Sequence, residues 1–236
     1  SIIWHKWTND EILLLLVKRI LNFQKSKIDI DTLKKLKQSD LAYYLNSVFE
    51  SKFQDSGKWR NAPIYKILIS LIRKRPRDLV KLCSLAAKHA YLVDAEKIGT
   101  EDLKEIFVEY SQGRMQDTVN EYKSELPDIE RLLLNMKPSR AEVKSHTGYV
   151  YNTAGLKQKI RNIMEQGRFV FRNKKEATDS ELLQFMYKIN FITARKTLDD
   201  GRIERKYFEE NKYLTYRNVD FGYNWEIHPA FRWVLA

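Results

Sequence analysis

Apolar residues recur at helical spacing from residue 8 to residue 136, and the texture then changes. The stretch 8–23, TNDEILLLLVKRILNF, opens with Thr8 as an N-cap and Glu11 three residues on. That pair is a capping box, and the apolar density behind it predicts a well-buried helix. Residues 28–53 begin polar and pass into LAYYLNSVF, which reads as one or two further helices. In PIYKILISLIRK (63–74), Pro63 sits at a first helical turn. That helix stops before Pro76, because a residue preceding proline is biased away from the α region. Leu79, Leu82, Cys83, Leu85, Ala86 and Ala90 repeat at helical spacing in the next segment, with Asp78 placed to offset the dipole at its start. IGTEDLKEIFVEYSQGRMQDTVNEY offers Thr100 as a second N-cap, and LPDIERLLLNM carries the helical character to Met136. No strand is predicted up to that point.

Residues 137–151 lose the periodicity and read as a linker. Beyond them, AGLKQKIRNIMEQG (154–167) and TDSELLQFMYKIN (178–190) are helices, the second capped by Thr178 or Asp179. RIERKYFEE, a polar turn and YNWEIHPAF then alternate partially and are rich in aromatics, predicting a β-hairpin with its tip near 211–222. The expected fold class is mainly α. A helical bundle fills 1–136, a linker 137–151, and a winged helix-turn-helix domain with a small β-hairpin 152–236.

Composition narrows the function classes. The chain has 236 residues, 43% hydrophobic and 31% charged, enough for one large domain or two small ones with real cores. Its net charge of +11 points to polyanionic partners: nucleic acid, nucleotide phosphate or an acidic protein face. The plain alternative is a solvated basic surface. The single cysteine, Cys83, cannot form an internal disulfide and reads as a small core residue in a reducing, cytoplasmic setting. The longest apolar run, Ile12–Val17, falls far short of the ~20 residues that span a bilayer, so no membrane partner is expected. The chain opens on Ser1 rather than Met, which suggests a fragment or a processed product.

Catalytic motifs are missing. Gly57-Lys58 is followed by Trp59 and lacks the earlier glycine of a P-loop, and no GxSxG, HExxH or CxxC spacing occurs. His5, His89, His146 and His228 lie far apart in sequence, so no metal site is predicted. Asp199-Asp200 precedes Gly201 and reads as a turn rather than a catalytic pair. Alone, this chain is not expected to turn over a substrate.

The sharpest local signal is RKRPRDLVKLCSLAAKHA (73–90), where Arg73, Lys74, Arg75 and Arg77 crowd around Pro76 at a helix start. A helix N-terminus is partially positive, so cations there are unfavourable unless an anion sits among them. The local alternative is a solvated loop with Asp78 as the cap and partner. RPRDLVKLC resembles the start of the penultimate lid helix in P-loop ATPases of the AAA+/STAND kind. WTNDEILLLLVKRI resembles the segment entering that lid, and YSQGRMQDTVNEYKSELPDIERLLLNM the helices that close it. LLQFMYKINFITARK and WEIHPAFRWVL are similar to the LLxxLYxIGFI and IHPAF marks of an appended winged helix. These features are strongest in a bacterial P-loop ATPase family often linked to antiviral (phage) defence, and the resemblance runs from about residue 4 to the end.

The resemblance implies that Arg77 is a second-sensor arginine reaching ATP phosphates from the lid, with Arg75 beside it, since a guanidinium fork suits phosphate oxygens. It implies ATP as cofactor, with Mg held only through an N-terminal ATPase core; this chain contains neither Walker A nor Walker B. Asn190 departs from the family by replacing the glycine of IGF, which puts the local helix end in question.

For nucleic acid, the candidate recognition helix 180–191 carries Lys188 as its one cation and makes a poor groove reader. Cations are denser on the preceding helix, at Lys157, Lys159 and Arg161. They are dense again around the hairpin, at Arg195, Lys196, Arg202, Arg205 and Lys206, then Lys212 and Arg217. That distribution suits phosphate contact with DNA or RNA without sequence reading, or docking to a partner protein or a second copy. Tyr207, Phe208, Trp225, Phe231 and Trp233 read as packing of the hairpin on the helices, with a base-stacking platform as the alternative. The expected function is the C-terminal regulatory and interaction portion of a P-loop ATPase. The alternative is a self-standing basic winged-helix DNA-binding protein that uses no nucleotide.

Overall fold

A computed structural model describes residues 7–57, 59–72, 75–144, 148–210 and 222–236. The chain is mainly helical with one small antiparallel sheet, and it divides into two units, Ser1–Tyr110 and Ser111–Ala236. No helix among the described residues is long and apolar enough to cross a membrane.

The first unit is built on α1 (Asn9–Phe23), α2 (Ile30–Lys34), α3 (Gln38–Tyr43), α4 (Ile64–Leu71), α5 (Pro76–Leu92) and the start of α6 (Thr100–Tyr122). The predicted capping box is present: Thr8 Oγ1 accepts from Glu11 N–H at 3.2 Å while Glu11 accepts from Thr8 N–H at 2.8 Å. Ile12, Leu13, Leu16 and Val17 of α1 are buried, together with Leu68 and Leu71 of α4 and Leu79 and Leu82 of α5. Cys83 lies on α5 as expected, and burial pushes its thiol up to about 12. Thr100 departs from its predicted role. It is the first residue of α6, and its hydroxyl accepts from Gln54 N–H at 2.7 Å instead of capping the helix. Asp102 reaches back in its place, accepting from Gly99 N–H at 2.7 Å and meeting His89 Nδ1 at 2.8 Å.

The second unit follows from Ser111 through α7 (Ile129–Leu134), α8 (Arg140–Lys144), β1 (Val150–Tyr151), α9 (Thr153–Met164), α10 (Asp179–Lys188), β2 (Ile192–Thr197), β3 (Ile203–Lys206) and β4 (Asn224–Ile227). The division falls inside α6, whereas the sequence placed it at 137–151. Met115 and Val119 of α6 join the second core, and an unbroken helical period carries no mark of that change of partner. The stretch read as a linker contains α8 and β1, and Tyr151 is buried.

The sheet order is β1-β4-β2-β3, antiparallel throughout. This corrects the predicted hairpin. β3 and β4 are not partners, because β2, which the sequence reading missed, lies between them with Ala194 opposite both Lys206 and Trp225. The tight turn is the Asp199-Asp200-Gly201 segment, with Gly201 at φ 79° and Leu198 N–H bonded to Arg202 C=O at 2.9 Å. The expected tip at 211–222 lies almost wholly outside the described residues.

Asn190 resolves the question its sequence raised. It adopts φ 57° and closes α10 as a glycine would: Phe191 N–H bonds Met186 C=O and Asn190 N–H bonds Tyr187 C=O, both at 3.0 Å. This is a Schellman ending, for which asparagine is the tolerated substitute for glycine. Its Nδ2 also donates to Glu209 at 2.7 Å. Asn190→Ala is expected to cost about 1–2 kcal/mol in urea unfolding, because alanine pays the left-handed penalty without the side-chain bond. Asn190→Gly should lose less; an equal loss would show that the backbone angle is not the cause.

Candidate functional site

The second unit carries a groove of about 800 Å³ over the outward side of α10. Helical geometry sets its floor. Leu182, Leu183, Phe185, Met186 and Tyr187 turn into the core, which leaves Glu181, Gln184 and Lys188 as an outward polar stripe at i, i+3 and i+7. Phe171 and Phe208 contribute to its lining as half-buried rings. Each is anchored on an α10 ring edge-on, Phe171 to Phe185 at 5.8 Å and Phe208 to Tyr187 at 5.7 Å.

One side of the groove is a tight hairpin, residues 169–177, between α9 and α10. Ala177 N–H bonds Phe169 C=O at 2.8 Å, Phe171 N–H bonds Lys175 C=O at 3.0 Å, and Lys174 takes φ 62° at the tip. Asn173 Oδ1 accepts from Lys175 N–H at 3.0 Å, an Asx turn. Arg131 of α7 pins the base of the hairpin. Its guanidinium lies 3.8 Å from the centre of the buried Phe169 ring and donates to the carbonyls of Ile163, Gly167 and Arg168. Arg172 N–H, at the tip, bonds Glu125 C=O at 2.9 Å. RFVFRNKKEA (168–177) carries four cations, Arg168, Arg172, Lys174 and Lys175, against one acid, Glu176. The sequence reading passed over this segment; basic residues interleaved with aromatics were the available signal.

Ion pairs decide which charges face outward. Lys188 Nζ lies 2.6 Å from Glu125, and Lys175 Nζ 2.5 Å from Glu181, holding the Glu181 carboxyl below its usual range. Arg168 pairs with Glu176 at 3.2 Å. Gln184 and the side chains of Arg172 and Lys174 have no hydrogen-bond partner among the described residues.

The predicted contact residues are dispersed. Lys157 is half-buried and Arg161 exposed on α9, where Arg161 pairs with Asp179 at 2.8 Å. Lys159 turns inward to Glu142 at 2.8 Å and the carbonyl of Lys137 at 2.9 Å. Arg202 pairs with Asp200 in the β2–β3 turn. Lys196 and Lys206 sit 5.8 and 5.7 Å from the centre of the Tyr223 ring. Lys212 and Arg217 lie outside the described residues.

Arg195 and Arg205 converge on Glu226, a β4 carboxylate that is 1% exposed. Arg205 grips it with two bonds of 2.6 and 3.2 Å, Arg232 adds one of 2.7 Å, and Arg195 approaches to 3.9 Å. Burial alone would push the Glu226 carboxyl up. The bonds and charge of Arg205 and Arg232 outweigh it and hold the group at about 2. Part of the hairpin's positive charge is therefore answered internally. Of the aromatic stripe, Trp225 and Phe231 are fully buried, while Tyr207, Phe208 and Trp233 are half-buried.

In the first unit, Pro76 is the first residue of α5, with Arg75 half-buried at the N-cap and Arg77 exposed on the opening turn. Asp78 beside them is fully buried. All three residues take part in interactions within the chain. Arg73 and Lys74 lie outside the described residues.

Residues 31–119 match the family model of the FunZ-associated C-terminal helical domain. No curated protein and no solved structure matches the chain. The matched stretch includes Arg75 and Arg77 and ends before every residue of the groove.

Proposed function

We propose that this chain is the C-terminal interaction portion of a larger P-loop ATPase. The first unit serves as a helical lid whose Arg77, with Arg75 next to it, reaches the phosphates of ATP bound by a separate core. The second unit is a winged helix, with β1, β4 and β2 as its sheet and β3 added at the edge, and it contacts nucleic-acid phosphates without reading sequence. The observation that carries the first part is the match of residues 31–119 to a C-terminal helical domain, since that stretch holds α5 and the exposed Arg77. The second part rests on the basic hairpin beside α10 and the net charge of +11. A polar stripe of Glu181, Gln184 and Lys188 gives α10 little to read a major groove with.

In the parent polypeptide, Arg77→Ala should lower ATP turnover about tenfold to a hundredfold, the value of one charge-assisted hydrogen bond to phosphate. Unchanged turnover with normal expression rejects the lid role. The chain alone should hydrolyse no ATP, and its affinity for duplex DNA should fall steeply as salt rises. The alternative reading, a self-standing basic winged-helix DNA-binding protein, is favoured by the same hairpin and survives loss of the ATP arm; salt-insensitive DNA affinity would reject the phosphate contacts in both.

A further inference from the structure

We propose that the groove over α10 holds an unpaired base of a single-stranded nucleic acid, with Arg172 and Lys174 taking the adjoining phosphates. The proposal rests on the nucleic-acid reading above and deepens it by naming the form of strand. Single-strand sites combine aromatic surfaces, on which any base can stack, with cations that follow the backbone. Both are present here on rigid supports. Phe171 and Phe208 line the groove and are braced by Phe185 and Tyr187, and the hairpin that carries Arg172 and Lys174 is pinned by Arg131.

The polar stripe supplies a reading group. Glu181 is held by Lys175 and by the N-cap residue Thr178, and Lys188 by Glu125. Gln184 lies between them in the groove lining, with no hydrogen-bond partner among the described residues. A carboxamide sets a donor beside an acceptor, the pattern that matches the edge of adenine. A duplex leaves only the N6/N7 edge of adenine open to such a group, whereas an unpaired adenine offers its N1/N6 edge as well. A double helix is also the poorer fit sterically. A major groove admits a bare helix, but the outward side of α10 lies within a groove that residues 171–173 and Phe208 also line. A volume of about 800 Å³ is in the range of small-molecule sites and suits a base with its sugar and phosphate.

Fluorescence anisotropy on the whole chain tests this with a short labelled oligodeoxyadenylate, its ribose counterpart and the matching DNA duplex, all at one salt concentration. Single strands should bind more tightly than the duplex, and the deoxy-to-ribose ratio tells which source is preferred. Phe208→Ala should weaken single-strand binding about tenfold and leave duplex binding unchanged. Gln184→Ala, on a helix surface that tolerates alanine, should weaken it several-fold with the circular dichroism spectrum intact. Equal affinity for both forms, with Gln184→Ala unaltered, overturns the base-holding groove and leaves the phosphate contacts standing. If neither form binds while polyglutamate does, the surface takes acidic protein and both readings fall.

Discussion

Glu226→Gln is expected to lower the stability of the second unit by about 3 kcal/mol at neutral pH. The carboxylate sits on β4 with three guanidiniums from β2, β3 and the C-terminal segment around it, and glutamine would leave them facing a neutral amide. Breaking a buried pair from one side costs about 3–5 kcal/mol. The lower end applies because the three arginine side chains remain 19–31% exposed and can recover some hydration. The pH dependence makes the test specific. The folded value of about 2 lies below the ordinary 4.5, so the carboxylate's contribution is complete above about pH 4.5 and is lost as pH falls toward 2. Urea unfolding of native protein and variant should therefore converge across that window. A gap that persists unchanged at the acid end would show that the loss comes from shape rather than charge.

Trp225→Ala is expected to cost about 3–5 kcal/mol, the toll of removing a large aromatic from a closed core. Trp225 is fully buried on β4, meets the Tyr187 ring at 5.3 Å, and donates from Nε1 to Thr153 Oγ1 at 3.1 Å. One side chain thus ties the sheet to α10 and to the first turn of α9. Hydrogen exchange should locate the loss in amides of α9, α10 and the sheet, with Trp225→Phe retaining most of the protection. A loss below about 1 kcal/mol, well short of that range, would contradict the packing described.

The helices were legible because their signals are local. Thr8 with Glu11, the cap at Thr178 or Asp179, and the prolines at 63 and 76 mark starts within a few residues of the observed ones. The sheet was less so. β2 reads ITARKT, whose Ile192, Thr193 and Ala194 are all buried and thus break the alternation that identifies a strand. The turn at Asp199–Gly201 was recognised, but not that it joins β2 to β3. Nor could a chain-wise reading place Glu226. A single acid among aromatics says nothing of three arginines from other segments, so Arg195 and Arg205 looked like surface charge. The groove was hidden for the same reason, because Phe171 and Phe208 are 37 residues apart in sequence. Arg77 was singled out by its neighbours in the chain, and the structure places it on an exposed first turn.

Cys83 leaves the protein with a built-in clock. Burial pushes the ionisation of this half-buried thiol up to about 12, so it holds almost no nucleophilic thiolate near neutrality and reacts slowly with alkylating reagents. As the sole sulfhydryl in the chain, it reports on the first unit alone. A change in the tempo of its labelling therefore reads the surroundings of α5 without any engineered probe.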